Sequence, residues 1–337
     1  MKNMNINDIA RLANVSKGTV SRVINSNPKG VSPETRRRIQ QIIEETGYIP
    51  NRMAGSITVA CTKTIGLIIP DIQNMFFPQM VRGVEDCAGE HGCSLFLCNS
   101  DSDIHKEQMY LRAFLEKRVD GILINTCGDM PDRNLHRSVC RSEIPIVLLD
   151  RKSNDFPHYP GVYIDNRKAA YMGVSYLLEK GCRNILFFGG PDGVFTSFER
   201  LCGYKRALGG AGVAFREDYV FFGTYTTDSG YARIREAMVR CPEADAVFAC
   251  SDTIAVGVLR GLRELGISVP DRVSVMGFDN ITMSADMSPP LSTVAQPIYD
   301  IGYRAAMKLF ACIAKEENCG RSEYMDSTLI IRESTRK

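Results

Sequence analysis

Long apolar runs are missing from this chain. Although 44% of its 337 residues are hydrophobic, no stretch approaches the roughly 18 consecutive apolar residues that suggest a membrane-spanning helix. The opening residues, MKNMNINDIARLA, are amphipathic and lack the apolar segment of a secretion signal. These absences make a cytoplasmic protein with no membrane partner the expectation. The twelve cysteines are scattered, with no C-x-x-C and no Cys/His cluster at zinc spacing. They are expected to be packing thiols, with no metal and no cofactor. Enzyme signatures are lacking as well. GGPDG, residues 189–193, has neither the lysine nor the spacing of a P-loop. No G-x-G-x-x-G follows the first strand pattern, and no G-x-S-x-G occurs. His91, His105, His136 and His158 have no acid at a useful spacing and read as surface residues. A protein that is not an enzyme is therefore expected.

Charge is present but unevenly placed. Residues 1–60 hold nine Lys or Arg against four acids, a net +5, and the remainder holds 32 against 35, a net −3. A basic head on a mildly acidic body suggests a polyanionic partner for the head. A merely solvated basic surface fits the charge equally well. The head contains three helical patterns. Ile6, Ile9, Ala10 and Ala13 form one apolar stripe, and the turn ANVS ends it. Ser16 then caps a second helix whose Val20, Val23 and Ile24 face a core. A longer third helix starts at Ser32 and Pro33, turns Ile39, Ile42 and Ile43 inward, and stops at Gly47. Two short helices joined by a tight turn make a helix-turn-helix, whose second helix enters a major groove. A small helical bundle with a polar surface is the plain alternative. Lys17, Gly18, Ser21, Arg22 and Asn25 share the exposed face. Arg22 suits a guanine edge, and Ser21 or Asn25 suits bases or phosphates. Gly18 adds no side chain, so it permits close approach without choosing a base and leaves readout to Lys17, Thr19, Ser21, Arg22 and Asn25.

The body alternates short apolar runs with amphipathic helices. Nine such runs, from TIGLIIP at residue 64 to VSVMGFD at residue 273, imply parallel sheets covered on both faces. Two sheets of about five strands, in two similar lobes, accommodate them best. Sheets of this kind bind ligands beyond the carboxyl ends of their strands. Those ends carry Asp71 and Asn74 beside Phe76 and Phe77, then Asp150 and Arg151, Ser251 and Asp252, and Asp279 and Asn280. Arg200 follows a glycine-rich turn, and Gln296 lies in a late crossover. Acids, amides and arginines beside aromatics suit a polyhydroxylated ring. Each of these residues taken alone could instead be a turn or cap.

The segments INDIARLANVSKGTVSRVIN and VSPETRRRIQQIIEETGYIPN resemble the DNA-binding head of the lactose-repressor and galactose-repressor (LacI/GalR) family. The resemblance continues through IGLIIPDIQNMFF, DGILI, GCRNILFFGGP, ERLCGYKRAL, VSVMGFDN and SPPLSTVAQP, which takes in nearly the whole chain. It implies an α/β protein with an N-terminal helix-turn-helix head and a two-lobed, periplasmic-binding-protein-like effector domain with parallel sheets. The implied boundaries are 1–49 for the head, 50–61 for a hinge segment and 62–337 for effector binding and dimerisation. Within the last, the N-lobe spans about 62–163 and 295–325, and the C-lobe about 164–293. The implied function is a sequence-specific transcriptional regulator, a dimeric repressor whose operator affinity is set by a sugar or sugar-like effector between the lobes. Its partners would be pseudo-palindromic operator DNA, the effector and a second copy of the chain.

The resemblance also assigns residues. Ser16, Lys17, Thr19, Ser21, Arg22, Asn25, Thr35, Tyr48, Asn51, Ala54 and Ile57 are the expected DNA contacts. In the family the hinge folds on DNA, pairs with its dimer mate and wedges a leucine into the minor groove. Ile57 stands at the wedge position and Ala54 at the close-contact one. Propensity alone would make the segment a flexible linker. Asn74, Asp150, Arg151, Arg200, Asp279 and Gln296 match polar sugar contacts, and Phe76 or Phe77 with Tyr225 match aromatic walls. Ser251 departs from the family, which usually has asparagine there. The shorter hydroxyl implies either a different ligand or a water in the gap. The tail LIIRESTRK has no apolar heptads, so a dimer is expected rather than a tetramer. The alternative, a sugar-binding protein without DNA regulation, would carry a secretion signal where this chain has its basic head.

Overall fold

The computed structural model describes residues 4–24, 30–48 and 61–336. Its contacts divide the chain into two units, Met1–Thr62 and Lys63–Lys337. The first unit holds three helices, each started by a side chain that its sequence supplies. Asn5 opens α1 (Ile6–Leu12) with a capping box: its side chain accepts the amides of Asn7 and Asp8, and the Asp8 carboxylate accepts the Asn5 N–H. Ser16 Oγ accepts the Thr19 amide at 3.1 Å at the start of α2 (Lys17–Ile24). Ser32 Oγ does the same for Thr35 at 3.2 Å at the start of α3 (Pro33–Thr46). Gly47, at φ 60°, ends α3 in the left-handed conformation that glycine adopts without strain. The three helices enclose Ile9, Ala10, Ala13, Val20, Val23 and Ile39, with Ile24, Ile42, Ile43 and Tyr48 packed at the margin.

The second unit has two lobes, each built on a six-stranded sheet. The N-lobe sheet contains β1 (Thr64–Ile69), β2 (Ser94–Asn99), β3 (Gly121–Ile124), β4 (Ile146–Leu149), β5 (Gly161–Ile164) and β11 (Glu323–Met325), in the order β11-β5-β4-β3-β1-β2. All its pairings are parallel. The C-lobe sheet contains β6 (Ile185–Gly189), β7 (Val220–Phe222), β8 (Ala246–Ala249), β9 (Ser274–Asp279), β10 (Ser292–Ala295) and β12 (Thr328–Ile330), ordered β12-β10-β9-β8-β6-β7. Only β12 runs antiparallel, against β10. The expected nine strands are all present, but the expected sheets of five become sheets of six. The additions β10 (STVA), β11 (EYM) and β12 (TLI) each begin with a polar residue rather than forming a continuous apolar run.

Helices cover both faces of each sheet. The N-lobe has α4 (Phe76–Glu90), α5 (Ile104–Lys117), α6 (Arg133–Arg141) and α11 (Ile298–Ile313); the C-lobe has α7 (Asn166–Glu179), α8 (Phe195–Gly210), α9 (Thr227–Arg240) and α10 (Asp252–Glu264). The central strands β3, β4, β5, β6, β8 and β9 are buried throughout, whereas the edge strand β2 is partly exposed. Glycine sets how closely helices meet. A Cβ on Gly83 of α4 would run into the Tyr299 carbonyl of α11, and one on Gly302 would strike the Met80 carbonyl in return.

The chain crosses between lobes three times, after β5, after β10 and after β11. The last crossing carries residues 326–336 back into the C-lobe. There Ser334 is buried, its carbonyl accepting the Val275 amide at 2.7 Å and its hydroxyl accepting the Ser292 amide at 2.8 Å. In each sheet the strand order reverses once, between β1 and β3 and between β6 and β8. Such switch points leave a crevice at the strands' carboxyl ends.

Candidate nucleic-acid interface and ligand cleft

In the head, the exposed surface of α2 is formed by Lys17, Gly18 and Arg22, with Thr19 and Ser21 half-buried. A Cβ on Gly18 would meet nothing closer than Ser16 Oγ at 3.7 Å, so packing within the head does not require a glycine there. Ser16 and Thr19 serve the fold first: besides capping α2, their hydroxyls bond each other at 2.9 Å. Thr35 is held likewise, its Oγ1 accepting from Ser32 Oγ at 2.9 Å. The half-buried Tyr48 packs on the head's core. The expected contacts Asn25, Asn51, Ala54 and Ile57, and hinge residues 50–60, lie outside the described residues.

The cleft brings together nine of the ten expected effector residues. Asn74, Phe76, Phe77, Asp150, Arg151, Arg200, Tyr225, Ser251 and Asp279 line one small inner hollow of about 20 Å³, along with Thr196. Gln296 is the exception. Its amide donates to Asp279 Oδ1 at 2.7 Å, while its outer side borders a separate surface depression. It orients Asp279 rather than lining the hollow.

Each lobe supplies one wall. On the C-lobe side, Arg200 is buried with its guanidinium 3.8 Å over the Phe278 ring. Its Nε donates to Asn166 Oδ1 at 2.8 Å, its Nη1 donates to the Cys250 carbonyl at 2.5 Å, and Asp279 Oδ1 lies 4.0 Å away. Burial pushes the Asp279 carboxyl well above the usual carboxylate range, outweighing the pull of Arg200. The Asp279 backbone sits at φ 118° and that of Asp150 at φ 57°, strained values for residues with side chains. The Tyr225 hydroxyl bonds Ser197 Oγ at 2.8 Å, and its ring lies flush against Gly190, where any Cβ would collide.

On the N-lobe side two buried polar atoms of residues that line the hollow have no hydrogen-bond partner: Asp150 Oδ1 and Arg151 Nε. Burying such groups without a partner costs about 1–3 kcal/mol each, so the wall is built to receive donors and acceptors from elsewhere. The lobes also touch directly. Thr253 Oγ1 donates to Asn74 Oδ1 at 3.3 Å, and Gln79 Nε2 donates to Thr282 Oγ1 at 2.7 Å.

Two strand-end residues turn away from the cleft. Asp252 does not face the cleft: fully buried, it accepts from the Ile281 amide, Ser284 Oγ and Thr293 Oγ1 at 3.0, 2.5 and 2.7 Å. Asn280 turns outward and accepts from Arg332 at 2.8 Å. Ser251 does line the hollow, but its hydroxyl is already engaged as the cap of α10, accepting the Ile254 amide at 3.1 Å. Of the histidines, His136 is half-buried and stacks on Phe156, and the other three are exposed. Four cysteines, Cys87, Cys182, Cys241 and Cys250, are buried, while Cys140 is exposed.

Sequence reasoning missed an outer chamber of about 620 Å³, which opens next to the hollow and shares Asn74, Phe77, Arg151 and Tyr225 with it. Asp71, Gln73, Asp101, Ser102, Cys127, Asp192, Thr224 and Thr226 also line it, as do Gly193 and Val194 at the start of α8. Nearly all of these follow directly on β1, β2, β3, β6 or β7, so position after a strand was the available signal. No group of three or more potential metal ligands occurs among the described residues. No described helix is long and apolar enough to cross a membrane.

Comparison with known proteins finds two family models. One, described as bacterial regulatory proteins of the lacI family, matches residues 5–51. The other, periplasmic binding proteins and sugar binding domain of the LacI family, matches residues 62–333. Catabolite control protein A of Priestia megaterium is 36% identical over 335 residues, covering 99% of this chain and all of that protein. A solved complex of the transcriptional regulator CelR with cellobiose aligns with TM-score 0.75 at 32% identity, covering 98% of this chain and 99% of its own. The lac repressor dimer bound to operator and anti-inducer shares the fold, with TM-score 0.86 at 24% identity over 99% of both chains.

Proposed function

The chain belongs to the lacI family of bacterial regulatory proteins and is a DNA-binding transcriptional regulator, and from that premise we propose how it works. It acts as a homodimer in the cytoplasm, without catalysis. Residues 1–49 read a pseudo-palindromic operator, 50–61 form the hinge, and 62–337 bind effector and dimerise. Two heads on a two-fold axis match two half-sites. Lys17 and Arg22 make most of the base choice. Ser16, Thr19, Ser21, Asn25, Thr35, Tyr48, Asn51, Ala54 and Ile57 contact DNA around them.

A sugar or sugar-like effector binds between the lobes against Asn74, Phe76, Phe77, Asp150, Arg151, Arg200, Tyr225, Ser251 and Asp279. Gln296 acts through Asp279. The observation that carries this assignment is the pair of unpartnered buried atoms, Asp150 Oδ1 and Arg151 Nε, in a hollow that Phe76, Phe77 and Tyr225 also line. Effector binding closes the lobes about the three crossings between them. Closure changes how paired N-lobes meet, and thereby whether the hinges can fold on DNA.

The test uses Arg151→Met and Asp279→Ala in the full chain. Both should bind operator like the parent yet lose at least tenfold in effector sensitivity, measured by gel shift across an effector titration. A parental effector response in both variants would remove the cleft assignment.

A further inference from the structure

We propose that the cleft has an oxyanion subsite on its rim, and that the effector carries a phosphate or carboxylate group that sits there. This rests on the cleft being the effector site. The subsite is a pocket of about 110 Å³ between the loop after β3, the turn after β4 and the start of α8. It lies apart from the inner hollow and shares only Arg151 with it. Loop and turn belong to the N-lobe and α8 to the C-lobe, so a group held there bridges both walls.

Three features of the pocket call for negative charge. The first is the start of α8, a helix of 16 residues whose N-cap, Val194, supplies no side-chain hydrogen bond. The amides of Phe195, Thr196 and Ser197 have no intrahelical acceptor, and the helix dipole adds partial positive charge at that end. The second is Arg151, which is 8% exposed and has an Nε without a hydrogen-bond acceptor. Asp150 lies 4.0 Å from that Nε, too far for a hydrogen bond, and Nη1 donates to the Thr126 carbonyl at 3.3 Å. An oxyanion reaching a buried guanidinium in this state gains a charge-assisted bond. The third is Lys152. Its ammonium lies 5.2, 5.6 and 5.7 Å from the ring centres of Tyr324, Phe195 and Tyr163. Phe195 lines the same pocket, so the cation is held beside the helix start. Among the described residues no carboxylate pairs with it.

The opposing charge is small. Arg151 and Lys152 face Asp129 as the one acid in the lining. Asp129 is engaged by Asn154, whose Nδ2 donates to both its oxygens at 3.3 Å. Two further amides at the turn are already used: Gly193 donates to Asp192 Oδ1 at 2.9 Å, and Val194 to the Pro191 carbonyl at 3.3 Å. The balance is positive, and a hydroxyl would leave it uncompensated. An oxyanion neutralises it and draws Arg151 and Lys152 of one lobe towards the helix start of the other.

Calorimetric titration of the full-length protein with inorganic phosphate, at constant ionic strength, tests the subsite. The expected result is saturable binding that Lys152→Met weakens at least fivefold and Lys152→Arg restores to within twofold. No phosphate binding, or equal binding by Lys152→Met, overturns the subsite. The cleft assignment survives that result, because Asp279→Ala decides it and Asp279 does not line the pocket. Matched titrations then ask whether the anion belongs to the effector, using glucose, gluconate, glucose 6-phosphate, ribose, ribose 5-phosphate, fructose and fructose 1,6-bisphosphate. The tightest ligand should be anionic, with a Kd at least tenfold below that of its neutral parent sugar, and Lys152→Met should cut that advantage below threefold. Gluconate in that place assigns a carboxylate, and a phosphate ester assigns a phosphate. A neutral sugar as the tightest ligand, or no binding by any of the seven, overturns the assignment of the anion to the effector.

Discussion

Single side chains divide the two surfaces of this regulator into groups that hold the fold and groups left over for ligands. Arg22 belongs to the second kind, exposed on α2 beside Lys17 and the bare Gly18. Arg22→Ala should cost about 1–3 kcal/mol of discrimination at one base position, read as relaxed preference in competition gel shifts against operator point variants. Parental selectivity in that variant would contradict its role. Asp252 belongs to the first kind, and burial raises its carboxyl to about 6. In the unfolded chain the same group titrates near about 3.9, so between these values the native state keeps a proton that the unfolded state has lost. The stability from this protonation is complete below about pH 4, is lost as pH rises to about 6, and is flat above. Asp252→Asn should remove that slope, measured by urea unfolding of parent and variant from pH 4 to 8. Equal slopes would rule out Asp252 as its source. The two strand-end acids Asp252 and Asp279 look alike in sequence, yet one is a clamp and the other a cleft wall. Nothing in a strand pattern tells which way the residue just past the strand turns.

Secondary elements were more legible than sites, where they carried their own signal. The fully buried strands read as continuous apolar runs, and the caps Ser16, Ser32 and Gly47 mark helix ends directly. The strands β10, β11 and β12 left no such trace, because neighbours in the sheet rather than local composition hold them. The two-chambered cleft was hidden as well, since its outer walls depend on how far apart the lobes stand. Helix α2 offers the sharpest test at this scale. Gly18→Ala has room for its Cβ, so it should stabilise the head by about 0.5–1 kcal/mol through helix propensity. The same methyl should weaken operator binding severalfold if the surface lies against DNA. Thermal unfolding and gel shift on one preparation check both signs. Greater stability with unchanged affinity would place the face away from the DNA.

At the scale of the whole molecule, operator binding and effector binding are joined through one equilibrium. A ligand in the cleft can alter operator affinity only by the difference in its affinity for the two forms of the protein. The chain has the parts for this: lobes joined by three crossings, direct contacts at Asn74–Thr253 and Gln79–Thr282 that closure can make or break, and a polar wall lacking partners. Inducer and corepressor differ only in the sign of the coupling. Reciprocity is the strictest demand, because operator must change effector affinity by the same factor as effector changes operator affinity. The most direct measurement is therefore a pair of titrations on the full-length protein. Fluorescence anisotropy gives the operator Kd with and without saturating amounts of the tightest-binding carbohydrate. Calorimetry gives the carbohydrate Kd with and without saturating operator. The account predicts equal factors in the two directions, roughly 5- to 150-fold. An operator Kd that stays the same at saturating carbohydrate would contradict it.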